Sequence, residues 1–172
     1  MGVRDHKKHA GDFRATCAVI TTSDTRTERT DESGRVATEL LERAGHRVTS
    51  RDLIPNNLAK IRGAIRRRLK SADLVLVTGG TGAGPKDVSI QAATSLFDRE
   101  LPGFGELFRM LSYGEIGSAA MLSRASLGLV KGRAICVTPG SPKAVRLALQ
   151  KLLIPELAHL LSQARAPRGV AR

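Results

Sequence analysis

The chain has 172 residues, of which 41% are hydrophobic and 26% are charged. These values are typical of a soluble globular protein that is large enough to fold without disulfides. No apolar stretch approaches the length of a membrane-spanning helix, and the polar N-terminus does not resemble a signal peptide. We therefore expect a cytoplasmic protein with no membrane partner, in which a single domain over 15–163 lies between flexible tails at 1–14 and 164–172.

Lysine and arginine outnumber the acidic residues by 28 to 16, which gives a formal net charge of +12. This excess raises nucleic acid as a partner. However, the densest basic cluster, at 62–70, lies opposite apolar residues at helical spacing, so we expect it to face solvent. The chain has one tyrosine, four phenylalanines and no tryptophan, too few for stacking on single strands. We expect the charge to aid solubility and to steer an anionic ligand, with no specific nucleic-acid partner.

The predicted elements alternate along the chain. In order, they are a strand at 15–22, a helix at 33–44, a strand at 46–53, a helix at 58–69, an apolar strand ending at 78 and a helix at 89–97. A Pro-Gly-rich segment at 101–105 interrupts the pattern before a helix at 106–113. Strands at 125–130 and 133–138 follow, with a turn at Lys131-Gly132, although these two strands need not pair with each other. Ser141 then caps a long final helix that has Pro142 at its first position.

This alternation favours a parallel sheet covered by helices on both faces. Cys17 and Cys136 each lie inside a predicted strand. With no CxxC spacing and no neighbouring histidine, we expect both thiols to be buried as small hydrophobic side chains rather than to bind a metal.

The most informative segment is the end of the third strand. Four glycines fall within six residues, and a lysine and an aspartate follow. Glycine lets the backbone turn tightly and present its N–H groups to a ligand, and the carboxyl edge of a parallel sheet is where such ligands bind. We predict an anionic or phosphate-bearing ligand, with Lys86 near its phosphate and Asp87 holding a metal or a polar group. The segment itself is Thr78, Gly79, Gly80, Thr81, Gly82, Ala83, Gly84, Pro85, Lys86 and Asp87.

Two familiar phosphate-binding motifs do not fit this loop. A Walker loop requires a lysine directly after its second glycine, but Pro85 occupies that position and Lys86 comes one residue late. The dinucleotide fingerprint also fails, because Pro85 stands where its third glycine belongs. A tight strand-to-helix turn without a ligand is the alternative interpretation.

Three other segments are expected near the glycine loop. The segment 21–26, with Ser23 and Asp24, is either a ligand contact or a local turn. The segment 138–143 is either an ordinary capped helix start or an anion site, in which Lys143 could reach phosphate. The segment 98–106, with Glu100, is either a polar pocket wall or a set of surface charges.

In combination, these motifs resemble the MoaB/MogA family of molybdenum-cofactor biosynthesis. The match runs in order from about 15 to 161, and the segment 108–117 favours the MoaB branch. The motifs are Ser23-Asp24-Thr25-Arg26-Thr27, Asp31-Glu32-Ser33-Gly34, Thr78 to Gly82, Lys86-Asp87-Val88, Asp98 to Glu106, Ser123-Arg124 and Pro139 to Lys143.

The resemblance implies a three-layer α/β/α sandwich around a mainly parallel sheet, assembled as a trimer or hexamer. It also implies molybdopterin as ligand, whose terminal phosphate is adenylylated with ATP and Mg²⁺ before molybdate is accepted from a partner enzyme of the pathway. Backbone N–H groups, lysines and a carboxylate-held Mg²⁺ would offset the repulsion between the phosphates.

The chain departs from the family pattern at one position. Active members carry an aspartate after the proline that follows the second strand, whereas this chain has Pro55-Asn56. Asparagine keeps an oxygen ligand but loses the negative charge, so it would bind Mg²⁺ more weakly. Two hypotheses follow: a molybdopterin adenylyltransferase, or a non-catalytic molybdopterin-binding scaffold.

Carried over to this chain, the resemblance assigns catalytic roles to Asp87 and Asn56, with Asp87 also as the metal ligand. The residues expected to bind the ligand or its phosphate are Ser23, Asp24, Thr78, Gly79, Gly80, Thr81, Gly82, Lys86, Glu100, Pro139, Gly140, Ser141 and Lys143.

Overall fold

The computed structural model describes residues 13–165, and it contains six strands. The strands are β1 (Thr16–Thr22), β2 (Arg47–Ile54), β3 (Leu74–Thr78), β4 (Arg99–Glu100), β5 (Ser126–Val130) and β6 (Arg133–Thr138). The helices are α1 (Glu32–Arg43), α2 (Leu58–Arg68), α3 (Ser89–Thr94), α4 (Pro102–Ile116), α5 (Pro142–Ala148) and α6 (Ile154–Arg165). A 3₁₀ turn, Gly117–Leu122, follows α4, and a π turn, Leu149–Leu153, joins α5 to α6.

The strands form one mixed sheet in the order β2-β1-β3-β6-β5-β4. The pairs among β2, β1, β3 and β6 are parallel, whereas β5 runs antiparallel to both of its neighbours. The last two strands do pair, and the turn between them has φ values of 48° at Lys131 and 76° at Gly132. Positive φ at both central residues is the geometry that joins tightly paired antiparallel strands.

Side chains of the central strands are buried on both faces of the sheet. Along β1, Cys17 and Val19 join the core under α1, α4, α5 and α6, while Ala18 and Ile20 join the core under α2 and α3. The predicted three-layer α/β/α arrangement is therefore confirmed. Cys17 and Cys136 are both fully buried, as expected, and burial raises the pKa of both thiols, that of Cys17 to about 12 with a smaller contribution from Asp73.

The structure differs from the predicted elements mainly after β3. Helix α4 already begins at Pro102, inside the segment predicted to interrupt the pattern, because proline at the first helical position loses no hydrogen bond. The two-residue strand β4 was not predicted, and α3 ends at Thr94 rather than 97. No helix between residues 13 and 165 is long and apolar enough to cross a membrane.

The C-terminal helix extends two residues beyond the predicted domain end, to Arg165. Arg165 donates a hydrogen bond to Asp73 and lies 5.8 Å from the centre of the Phe13 ring. Phe13, Ala164 and Arg165 belong to the segments 1–14 and 164–172 that are predicted as tails. The rest of both predicted tails, 1–12 and 166–172, lies outside the described residues.

Asp73 links the start of β3 to β1 and to α6. Its carboxylate accepts hydrogen bonds from the Thr16 amide and hydroxyl, both at 2.7 Å, and from Arg165 at 2.5 Å. Burial alone would raise the pKa of Asp73, but these bonds and the nearby guanidinium outweigh it and hold the pKa below its ordinary value. The ionised form is therefore the one that stabilises the fold.

Replacing Asp73 should weaken the acid dependence of stability. A carboxyl group whose pKa is lowered by folding stabilises the protein above its unfolded pKa of about 3.9, and this stabilisation is lost as the pH falls through the folded value. We expect Asp73→Asn to lower the free energy of unfolding by about 1 kcal/mol at pH 7 and to lose less stability than wild type below about pH 4. Urea denaturation across this pH range measures both effects. The matched control is Glu42→Gln on the exposed side of α1, and parallel pH profiles for wild type and Asp73→Asn would contradict the expectation.

Candidate active site at the carboxyl edge of the sheet

The ends of β1, β3 and β6 fix the position of the candidate site. In the register of these parallel strands, Thr21 pairs with Thr78, and Thr78 pairs with Thr138. All three threonines are buried at the same edge of the sheet. The loops that follow them must therefore leave the sheet side by side, as expected for a ligand site of a parallel α/β sheet.

Direct contacts join the loop after β3 to the loop after β6. The Thr78 hydroxyl donates to the Pro139 carbonyl at 3.0 Å, and the Gly79 amide donates to the Thr138 carbonyl at 3.0 Å. Gly140 packs so closely that a Cβ atom at this position would lie 2.9 Å from the Gly79 Cα. The structure thus brings together the two glycine-containing segments that sequence analysis placed at one site.

The loop after β3 requires glycine at two positions. Gly79 and Gly80 have φ values of 92° and 62°, which other residues rarely adopt. A side chain would also collide with neighbouring atoms: a Cβ at Gly79 would lie 2.4 Å from the Thr22 carbonyl oxygen, and one at Gly80 would lie 2.3 Å from the Asn56 Oδ1. This backbone path therefore depends on the absence of side chains.

An open cavity of about 360 Å³ lies between the three loops. Arg26 and Asp87 are the charged side chains among the described residues that line it. The lining residues are Thr21, Thr22, Arg26, Gly79, Gly80, Thr81, Gly82, Asp87, Leu122, Ser123, Pro139 and Gly140. The cavity combines backbone amides, hydroxyls and one charge of each sign, which suits a polar ligand that carries a phosphate.

Arg124 holds the glycine loop in place. Its Nε donates to the Thr81 carbonyl at 2.8 Å, and one terminal nitrogen donates to the carbonyls of Gly82 and Asp87 at 2.7 and 2.9 Å. The planar guanidinium can reach several carbonyls at once, which an ammonium group cannot do. In the sequence, Arg124 is recognisable only as part of the Ser123-Arg124 motif, because its partners lie about 40 residues away.

Asp87 and Asn56, the two residues assigned catalytic roles, occupy different environments. Asp87 is partly buried in the cavity wall, where one carboxylate oxygen accepts the Gly84 amide at 3.1 Å. The Asn56 side-chain oxygen is buried beneath Gly80 and has no hydrogen-bond partner among the described residues. Within residues 13–165, no group of three or more His, Cys, Asp or Glu side chains is arranged to hold a metal ion.

Comparison with known proteins agrees with this architecture. Residues 18–159 match the family described as "Probable molybdopterin binding domain". The chain belongs to this family. It is 47% identical over 168 residues to molybdenum cofactor biosynthesis protein B of Bacillus subtilis strain 168, covering 96% of the present chain and 98% of that protein. The resemblance to the MoaB/MogA family is therefore confirmed.

Solved structures of the family share the fold. A crystal structure of a molybdenum cofactor biosynthesis protein B superposes with a TM-score of 0.87 at 46% identity, covering 90% of this chain and 98% of the other. The tungsten cofactor synthesizing protein MoaB from Pyrococcus furiosus gives a TM-score of 0.81 at 35% identity, with coverages of 88% and 98%.

Several residues expected to bind the family's ligand form hydrogen bonds with nearby backbone amides. The Ser23 hydroxyl accepts the amides of Thr25 and Arg26, at 3.2 and 3.1 Å, and Asp24 accepts the Asn56 amide at 2.8 Å. The Ser141 hydroxyl caps α5 by accepting the Ala144 amide at 3.1 Å. None of these three side chains is among those that line the 360 Å³ cavity, so they shape the loops around it.

Three further residues expected to bind the ligand, Lys86, Glu100 and Lys143, do not line the 360 Å³ cavity, whereas Gly79 to Gly82, Pro139 and Gly140 do. Lys86 is exposed and does not line the cavity. Glu100 accepts the Ser126 hydroxyl at 3.1 Å and borders a separate cavity of about 140 Å³. Lys143 borders another cavity, of about 510 Å³, together with Arg146 and Lys151. Among the described residues, the charged side chains that line the 360 Å³ cavity are Arg26, which lies in the predicted contact segment 21–26, and Asp87.

Substitution of Gly140 should separate the two loops. We expect Gly140→Ala to lower the free energy of unfolding by about 1–3 kcal/mol, because the added methyl group collides with the Gly79 backbone, which cannot move without disturbing β3. The matched control is Gly63→Ala in α2, where the new Cβ meets only Arg67 at an ordinary 3.6 Å and should stabilise the helix by up to about 1 kcal/mol. Urea denaturation measures both changes. Equal stability of Gly140→Ala and wild type would show that the loops are not in close contact.

Proposed function

We propose that this protein binds molybdopterin in the cavity at the carboxyl edge of β1, β3 and β6 and acts in molybdenum-cofactor biosynthesis. The supporting observation is the meeting of the Gly79–Gly82 loop with the Pro139-Gly140 turn around one cavity. This arrangement occurs in a chain that matches a molybdopterin-binding family over 18–159. The proposed role places the protein in the cytoplasm, where it would exchange ligand with other enzymes of the pathway.

The cavity offers separate surroundings for the two parts of this ligand. Backbone N–H groups of a glycine loop are suited to phosphate oxygens, because they donate without carrying bulky side chains. The Ser123 hydroxyl provides a donor and an acceptor for the polar edge of a pterin, and Leu122 and Pro139 provide apolar contact for its ring. The hydroxyls of Thr21 and Thr22 donate to Asp31 and to the Thr78 carbonyl, so they can only accept from the ligand. Binding in this form needs no catalytic side chain.

Adenylylation of the bound phosphate is a second candidate function, favoured by the position of Asp87 in the cavity wall. In this reaction a phosphate oxygen of the pterin attacks the α-phosphorus of ATP, the bond to the bridging oxygen breaks, and pyrophosphate leaves. Mg²⁺ is commonly held by one or two carboxylates together with substrate phosphates, so the Asp87 carboxylate fits this role. Mg²⁺ supplies positive charge that offsets the repulsion between the phosphates.

Asn56 should lower the rate of adenylylation, because it lacks the charge of an aspartate. An aspartate at this position would place a second negative charge directly beneath Gly80, whereas the asparagine oxygen there is neutral. Because Asp87 is the single carboxylate among the described residues that line the cavity, Mg²⁺–ATP would be held weakly. We therefore propose molybdopterin binding as the main activity and AMP transfer as a slow one.

The test is to incubate the protein with molybdopterin, ATP and Mg²⁺ while measuring pterin binding, pyrophosphate release and adenylylated pterin. We expect wild type to bind pterin and turn over slowly, Asn56→Asp to turn over at least about tenfold faster, and Asp87→Asn to lose turnover while it still binds pterin. The control is Glu42→Gln, far from the cavity lining. No pterin binding by wild type would refute the main proposal. Binding without product in both wild type and Asn56→Asp would refute the transferase and leave the scaffold role.

We also propose that the chain self-associates as a trimer or hexamer through an exposed apolar surface. This α4 surface consists of Leu107, Met110, Tyr113, Ile116 and Met121, whose exposed fractions lie between 47% and 77%. The first four residues recur every third position along α4, so they form one stripe, and Met121 extends it onto the 3₁₀ turn. An apolar surface of this kind is costly in water and marks an interaction site.

A charge placed in the centre of the α4 surface should prevent this assembly. We expect Met110→Glu to shift the sedimentation coefficient from that of a trimer or hexamer to that of a monomer at micromolar concentration, because the carboxylate would lose its hydration at the contact. The control is Leu58→Glu, which places the same charge on an exposed leucine of α2. A wild-type protein that sediments as a monomer, or a Met110→Glu protein with an unchanged mass, would contradict the proposal.

A further inference from the structure

Arg26 is the one cationic side chain among the described residues that line the candidate cavity. It follows β1, whereas the lysines expected to bind phosphate follow β3 and β6 and do not line the cavity. The positive charge of the cavity lining therefore lies on the loop after β1.

The loop after β1 holds Arg26 in place from both its backbone and its side chain. The Ser23 hydroxyl accepts the Arg26 amide at 3.1 Å. Two guanidinium nitrogens contact the Ser33 hydroxyl at 3.3 Å and the Gly140 carbonyl at 3.5 Å. Ser33 is fully buried at the start of α1, so the guanidinium lies between that helix and the turn after β6.

These guanidinium contacts are weak. Hydrogen bonds from a charged donor to a charged acceptor are usually about 2.7–2.9 Å long, and both contacts of Arg26 are longer and made to neutral oxygens. The Gly140 carbonyl already accepts a shorter bond, at 2.6 Å, from the Ser33 hydroxyl. Within residues 13–165, no carboxylate forms an ion pair with Arg26. The partly buried guanidinium therefore lacks the anionic partner that such a group normally has.

We propose that Arg26 is the phosphate-binding residue of this site and that it exchanges its weak contact with Gly140 for the phosphate monoester of the bound ligand. The guanidinium can donate two parallel N–H bonds to phosphate oxygens, a geometry that an ammonium group lacks. This inference rests on the proposed molybdopterin binding, whose terminal phosphate is such a group. It assigns recognition of that phosphate to the loop after β1 in addition to the glycine loop.

The proposal also fixes the orientation of the ligand. Asp87 repels a phosphate that carries no metal, while Arg26 attracts it, so the phosphate lies on the Arg26 side of the cavity. Phosphate recognition by Arg26 consequently needs no Mg²⁺. The contribution of Arg26 to the affinity for the phosphorylated ligand should be the same with and without Mg²⁺. Any contribution of Asp87 to that affinity should depend on the ion.

The experiment compares binding of molybdopterin with binding of the same pterin after its phosphate has been removed by phosphatase, in the presence of a chelator. We expect wild type to prefer the phosphorylated form. Arg26→Gln should lose about 10- to 100-fold in affinity for that form and none for the dephosphorylated form. Arg26→Lys keeps the positive charge but lacks the paired nitrogens. Its affinity for the phosphorylated form should therefore lie between those of wild type and Arg26→Gln. The control is Arg66→Gln, an exposed arginine of α2.

The outcomes separate this inference from the proposed function. If Arg26→Gln is folded by circular dichroism and keeps the full preference for the phosphorylated form, Arg26 does not bind the phosphate and the inference fails while pterin binding stands. Loss of the preference in Lys86→Gln or Lys143→Gln, with Arg26→Gln unchanged, would assign the phosphate to a lysine instead. Wild type that binds neither form would overturn the proposed function together with this inference.

Discussion

The alignment of β1, β3 and β6 determines where the loops around the cavity leave the sheet. Because the three strands are parallel and end in register at Thr21, Thr78 and Thr138, their loops emerge next to one another. The bonds from Thr78 to the Pro139 carbonyl and from Gly79 to the Thr138 carbonyl then fix two of these loops against each other. The contact between Gly79 and Gly140 leaves no room for a side chain, so glycine is required where the loops meet. The cavity follows from this packing.

Few charged side chains among the described residues line that cavity. Arg26 and Asp87 reach it from different loops, and most of the remaining lining is backbone, hydroxyl or apolar. Such a lining favours recognition of a phosphate by oriented N–H groups and one cation over the assembly of a metal cluster. Asn56 adds to this balance, because its position beneath Gly80 would otherwise hold a second negative charge. The asparagine leaves Asp87 as the carboxylate among the described residues that line the cavity.

Much of the fold could be predicted from local sequence patterns, since each such pattern acts over a few residues. The apolar run before Gly79, the capping pair Ser141-Pro142 and the alternation of strands and helices all correspond to observed elements. The start of α4 was missed because Pro102 looks like a break when its position in the helix is unknown. The role of Arg124 depends on carbonyls that only the folded chain brings near it, so no local pattern indicates it. For Ser23 the sequence left a ligand contact and a local turn open, and its hydroxyl accepts two neighbouring backbone amides.

The 3₁₀ turn Gly117–Leu122 lies between the α4 surface and the cavity. Met121, near its end, belongs to the exposed α4 surface, while the next residue, Leu122, lines the cavity, and Arg124 lies two residues further along. A neighbouring subunit docked on Met121 would restrain the same short segment that closes one wall around the ligand. Thermodynamic linkage then requires the two effects to be equal. If assembly changes the affinity for the ligand by some factor, bound ligand changes the affinity between subunits by the same factor. In an oligomer whose contact at Met121 raised ligand affinity, dilution alone would weaken retention of the ligand, and saturation with ligand would oppose dissociation of the subunits.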